Sequence, residues 1–131
     1  MRTRLKLTRD GDAFVVRLAP SQASAMYEAL SHLLERDFTD TELTVLVGAG
    51  REAVDGLLER LVGPHTEPRD VRLALGELHM AHSALTAVPT LFLARGGVFA
   101  EEPFHIRLGF YRENFDTLAH AVVEAVSGTD T

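Results

Sequence analysis

Residues able to do chemistry are sparse in this chain, and the most suggestive arrangement is Gly48-Ala49-Gly50-Arg51-Glu52-Ala53. Its spacing fits Gly-x-Gly-x-x-Ala, the turn in which glycines let a pyrophosphate approach a helix N-terminus. Two features favour a plain glycine turn into a capped helix instead. The acidic residue that should hold a ribose would be Asp70, which precedes the next strand rather than ending it. A matching turn later in the chain, Gly109-Phe110-Tyr111, fills with aromatic rings the space a phosphate needs. No cofactor is expected.

The six histidines raise the question of a metal. Glu77, His79 and His82 lie close together, and the two histidines at i,i+3 can share a helical face. Zinc needs at least three ligands with a supporting shell, and the internal repeat described below puts His82 beside an apolar stripe and His79 at an exposed position. No metal site is expected. His105 and Arg107 alternate with Phe104, Ile106 and Leu108, and Arg112 and Glu113 follow just beyond Gly109. On a strand these four could line a polar ligand site on an open sheet face, although acid–base work also needs a histidine held by a partner. No serine sits in a nucleophile elbow. No catalytic residue is assigned, and His105, Arg107, Arg112 and Glu113 stand as candidate ligand-binding residues.

One pattern occurs twice. Gly-x-x-Arg-Glu-x-x-Asp-x-Leu starts at Gly48 and again at Gly109. Glu52 and Glu113 suit the positive end of a helix dipole, whereas Arg51 and Arg112 do not. An arginine in both places despite that cost suggests a tertiary role. The expectation is that each pairs across a pseudo-twofold with the other half's glutamate; the alternative is two solvated arginines.

The elements that must position these residues follow from periodicity. Thr3–Arg9 and Ala13–Leu18 alternate around Asp10-Gly11 and predict a β-hairpin. Helical spacing follows from Pro20 to Leu34, then a short alternating segment, Leu43–Val47, reads as a strand, and a helix carries Val54, Leu57, Leu58 and Leu61. The second half reads the same way: strand Val71–Leu75, helix Gly76–Val88, strand Phe104–Leu108, helix Arg112–Val126. A shift of 55 superimposes Val16-Arg17-Leu18-Ala19 on Val71-Arg72-Leu73-Ala74, and a shift of 61 superimposes Gly48, Arg51, Glu52, Asp55, Leu57 and Val62 on their later counterparts. The expected fold is therefore α+β, a single domain over 1–131. It would be a two-layer sandwich with an N-terminal hairpin and tandem β-α-β-α repeats (about 12–62 and 68–126), forming one mixed sheet with helices mainly on one face. Each repeat is too small to bury its apolar face alone.

Composition narrows the function classes. The chain has 131 residues, 46% hydrophobic, no cysteine, and a net charge of −6 from 13 basic and 19 acidic residues. That balance argues against nucleic acid and anionic membranes as partners, and the lack of cysteine excludes disulfides and thiolate chemistry. The N-terminus alternates charge like no signal peptide, and no apolar run nears a membrane span, so a cytoplasmic protein is expected. Arginine supplies all of the basic residues but Lys6, a bias suggesting a GC-rich bacterial genome. Arg2, Arg4 and Lys6 alternate on the first strand, where they read as guards of an exposed edge. Ser127 to Thr131 are expected to fray.

The two halves differ most in their second linker, Thr86 to Pro103. It is long and apolar for so small a domain, with Leu91, Phe92, Leu93, Val98 and Phe99 around a Gly96-Gly97 hairpin turn. It either packs on the core or presents an interface. The functional expectation is a non-catalytic protein-interaction or regulatory module that forms a homodimer through this linker. The alternative is a small-molecule-binding protein or enzyme with its site around His105, Arg107 and Arg112.

Overall fold

The expected hairpin forms, with Gly11-Asp12 as its two-residue loop. In the computed structural model, which describes residues 3–129, β1 (Lys6–Asp10) and β2 (Ala13–Leu18) pair antiparallel from Lys6↔Arg17 to Asp10↔Ala13. Gly11 has φ +65° and Asp12 has no positive φ, the pattern of a type II′ loop. β2 then pairs antiparallel with β3 (Arg69–Ala74), completing a three-stranded sheet in the order β1-β2-β3. Phe14, Val16, Leu18, Val71 and Leu73 point inward and are buried; Lys6, Thr8, Arg17, Asp70 and Arg72 are exposed on the other side. Arg2, Asp130 and Thr131 lie outside the described residues.

Most of the remaining described residues are helical. The helices are α1 (Pro20–Glu35), α2 (Asp40–Val47), α3 (Arg51–Arg60), α4 (Leu75–Ala87), α5 (Glu101–Leu108) and α6 (Arg112–Thr129). The fold is α+β, with a wholly antiparallel sheet rather than a mixed one. The predicted strands Leu43–Val47 and Phe104–Leu108 are the helices α2 and α5. Only the i,i+4 residues of each are buried, Leu43 with Val47 and Phe104 with Leu108, while the intervening Val45 and Ile106 are 82% and 74% exposed. A strand would have turned all three to one side. Helix ends decide the matter. Thr39 Oγ1 accepts from the Glu42 N–H at 3.1 Å and Glu42 Oε1 accepts from the Thr39 N–H at 2.9 Å, a capping box that starts α2. Gly48 (φ +81°) and Gly109 (φ +78°) end α2 and α5 in the left-handed conformation.

The element order is thus β-α-α-α twice, at residues 13–60 and 69–129, in place of the expected β-α-β-α. Local geometry recurs at the offsets read from the sequence. Gln22 Oε1 accepts from the Ala19 N–H at 2.9 Å, and Glu77 Oε1 from the Ala74 N–H at 2.8 Å. Val16 faces Val71, 55 residues further on, in the β2–β3 register. α1 packs on α4, and the short helices exchange: α2 lies on α4 and α5 on α1. α3 lies on α1 as α6 lies on α4. One continuous apolar core joins both halves, centred on Met26, Leu30, Leu73, Leu85, Phe104 and Phe115. α6 stays helical through Thr129, past the predicted fraying point at Ser127.

Candidate functional site

The long second linker folds back on itself. A 3-10 turn at Val88–Phe92 buries Val88 and Pro89, and the chain then forms a small hairpin with Leu93 opposite Phe99. The Ala94 N–H donates to the Val98 carbonyl at 2.7 Å and the Ala100 N–H to the Phe92 carbonyl at 2.9 Å. Gly96 and Gly97 both take positive φ at the tip. This arrangement divides the five candidate interface residues. Phe92 and Phe99 turn inward, with ring centroids 5.2 and 5.3 Å from that of Phe104, which in turn contacts Phe115. Leu91 is partly buried, whereas Leu93 and Val98 are 46% and 67% exposed. The linker is core on one side and surface on the other.

The four candidate ligand residues lie on α5 and the start of α6, on helices instead of an open sheet face. They are near the hairpin but do not converge. Arg107 forms an ion pair with Glu35 at the end of α1. Arg112 places its guanidinium 4.8 Å from the Phe99 ring centre and is 3.7 Å from Asp116. His105 stacks on Tyr111, with ring centroids 4.2 Å apart and planes within 5°. Glu113 is exposed in the first turn of α6. Facing different partners, these side chains enclose no common ligand.

The paired arginines have tertiary roles, but not with each other's glutamates. Arg51 donates to the carbonyls of Leu34 (3.0 Å), Arg36 (3.3 Å) and Phe38 (3.1 Å), tying down the chain between α1 and α2. Arg112 holds the corresponding linker through Phe99. The expected cross-pairing fails because α3 and α6 pack on α1 and α4 respectively, so each arginine faces its own half's linker. The Gly48–Gly50 turn follows a helix, and Asp40 Oδ1 accepts from the Arg51 N–H at 2.9 Å. That carboxylate occupies the helix N-terminus where a pyrophosphate would bind.

His32 is the buried histidine of this region. Only 7% exposed, it lies with its ring centroid 5.2 Å from that of Phe92, and neither ring nitrogen has a partner among the described residues. Burial first, then the positive charges of Arg107 and Arg36, hold its pKa below the usual 6.5. His79 is exposed and His82 half-buried; among the described residues no three potential metal ligands gather.

Sequence reasoning missed Ile106 and Tyr111. A strand over Phe104–Leu108 puts Ile106 on the face of Phe104 and Leu108, yet it is 74% exposed, and Tyr111 is 48% exposed. Reading Phe104–Leu108 with a helical period would have put Ile106 outside. Leu93, Val98, Ile106 and Tyr111 make up four of the eight large apolar side chains exposed among the described residues, all within 93–111. No helix among the described residues is long and apolar enough to cross a membrane. Comparison with protein-family models, curated proteins and solved structures finds no match to this chain.

Proposed function

We propose that this protein is a non-catalytic interaction module that self-associates through the hairpin and the α5–α6 corner. The observation that carries this reading is the concentration of exposed apolar side chains there: Leu93, Val98, Ile106 and Tyr111. Apolar groups gathered on so short a stretch favour removal from water by a partner. A second copy is the fitting occupant, since Glu101 and Glu102 adjoin Arg107 and Arg112 on the same elements, and a rim carrying both signs can complement itself about a twofold. The engagement of Arg107, Arg112 and His105 with separate partners gives a small-ligand site among them no support.

We further propose that the two β-α-α-α halves descend from a duplicated unit. Support comes from the matched caps at Ala19 and Ala74, the matched glycines at 48 and 109, and the Val16–Val71 pair.

Sedimentation velocity on the full chain tests the self-association. The wild type is expected to sediment as a dimer, and Val98→Ser or Ile106→Ser as a monomer with an unchanged far-UV circular dichroism spectrum. A monomeric wild type, or a dimer indifferent to both substitutions, overturns the proposal.

A further inference from the structure

Charge in this acidic chain is unevenly placed. Four of its basic residues fall within the first nine positions, where there is no carboxylate. The sheet then concentrates that charge. The β1–β2 register sets Lys6 directly opposite Arg17, and Arg4, two residues before Lys6, lines one concavity with them. Like charges facing each other across strands destabilise a sheet unless something offsets them. Together with Ala19, Gln22 and Pro68, these three cations line a concavity of about 250 Å³ that has no carboxylate in its wall.

Protection of an edge strand does not account for this arrangement. Edge charges belong on edge strands, yet Arg17 lies on β2, the central strand. The floor of the concavity is also held in place. Gln22 is 1% exposed; it accepts from the Ala19 N–H at 2.9 Å and donates to the Arg4 carbonyl at 2.7 Å, fastening the start of the chain to the first turn of α1. That first turn contains no acidic residue and its N-cap, Ala19, has no side-chain acceptor, so the positive end of a 16-residue helix adds to the three cations.

Neutralisation is incomplete. Asp70 Oδ1 lies 3.3 Å from the Arg17 guanidinium, while no carboxylate among the described residues pairs with Arg4 or Lys6. Among the described residues, the charges of Arg4 and Lys6 remain over. A carboxylate would offset one of them; a phosphate monoester, which carries about −1.5 to −2 at neutral pH and offers several acceptor oxygens, matches both. The volume accommodates a phosphate group and a small part of what bears it. We propose that the concavity bounded by Arg4, Lys6 and Arg17 binds the phosphate group of a small anion.

The test is an amide-resolved NMR titration of the full chain with inorganic phosphate, adenosine monophosphate and chloride at constant ionic strength. Saturable shifts are expected at Arg4, Lys6, Arg17, Ser21 and Gln22 with phosphate and not with chloride. Affinity should fall about tenfold in Arg4→Gln and in Lys6→Gln, each a surface change that removes one charge-assisted contact. It should be unchanged in Arg72→Gln, which removes a cation from the same sheet face outside the concavity. Tighter binding of the monophosphate identifies a phosphorylated small molecule, and tighter binding of the inorganic ion identifies free phosphate. Shifts that fail to saturate, spread to Arg60 and Arg72, or persist undiminished in both Gln variants overturn the proposal.

Discussion

Two glycines at equivalent turns face different surroundings, and the difference is measurable. Gly48 and Gly109 both adopt the left-handed conformation, in which a Cβ costs roughly 1–2 kcal/mol. A Cβ at Gly109 would meet nothing within 4 Å, whereas at Gly48 it would lie 3.3 Å from the His79 ring. Gly109→Ala is therefore expected to lower unfolding free energy by about 1 kcal/mol in urea titrations, and Gly48→Ala by more. His32 makes the other prediction at this scale. Its folded pKa lies below the unfolded value near 6.5, so the unfolded chain takes up the proton more readily. The stability from its neutral burial is fully present above about pH 6.5 and is lost as the pH falls from there toward the folded pKa. The wild-type melting temperature should drop across that window more steeply than that of His32→Phe. Equal slopes would show that the burial of His32 has no bearing on acid stability.

Short helices depend on their ends more than on their middles. α2 has eight residues, and its N-terminus rests on the reciprocal Thr39–Glu42 bonds. Thr39→Ala should cost about 1 kcal/mol in denaturant unfolding. Arg51→Ala should cost more than Arg112→Ala in the same assay, because three carbonyls lose a charged donor in one case and a ring loses a cation in the other. The same helix ends explain which elements were legible. The hairpin, α1, α3, β3, α4 and α6 each carry a long enough run of one period. α2 and α5 are so short that two buried residues four apart fit a strand as well as a helix. Thr39-Asp40-Thr41-Glu42 carried the missing signal, since a capping box marks a helix start whatever the apolar spacing. α5 has no such mark, with Ala100 at its N-cap.

At the scale of the molecule, the halves share one interior by exchange. α2 covers α4, α5 covers α1, and β2 and β3 meet at Val16 and Val71. Neither half retains the partner that keeps its apolar face dry. A fragment of residues 12–66 is expected to lack a helical circular dichroism signal, and to recover it on mixing with residues 67–129. A fragment helical on its own would count against the shared core. The same interlocking explains where the candidate ligand residues lie. His105, Arg107, Arg112 and Glu113 are close in sequence and in space, yet helical rotation in α5 and α6 sends them to separate partners on α1, the hairpin and the α5–α6 turn.

Local chemistry determined much of this protein by itself: the N-terminal hairpin, the helices with sustained apolar stripes, and the recurrence of one pattern at offsets of 55 and 61. Those features depend on neighbours within a few residues, which the chain states outright. Only the tertiary structure decided that the α5 segment coils, that the arginines hold their own linkers, and that the second linker packs on the core at Phe92 and Phe99 but is surface at Leu93 and Val98. In each of these cases the local sequence is compatible with more than one conformation or partner. Packing across the chain, through groups far apart in sequence, chose between them.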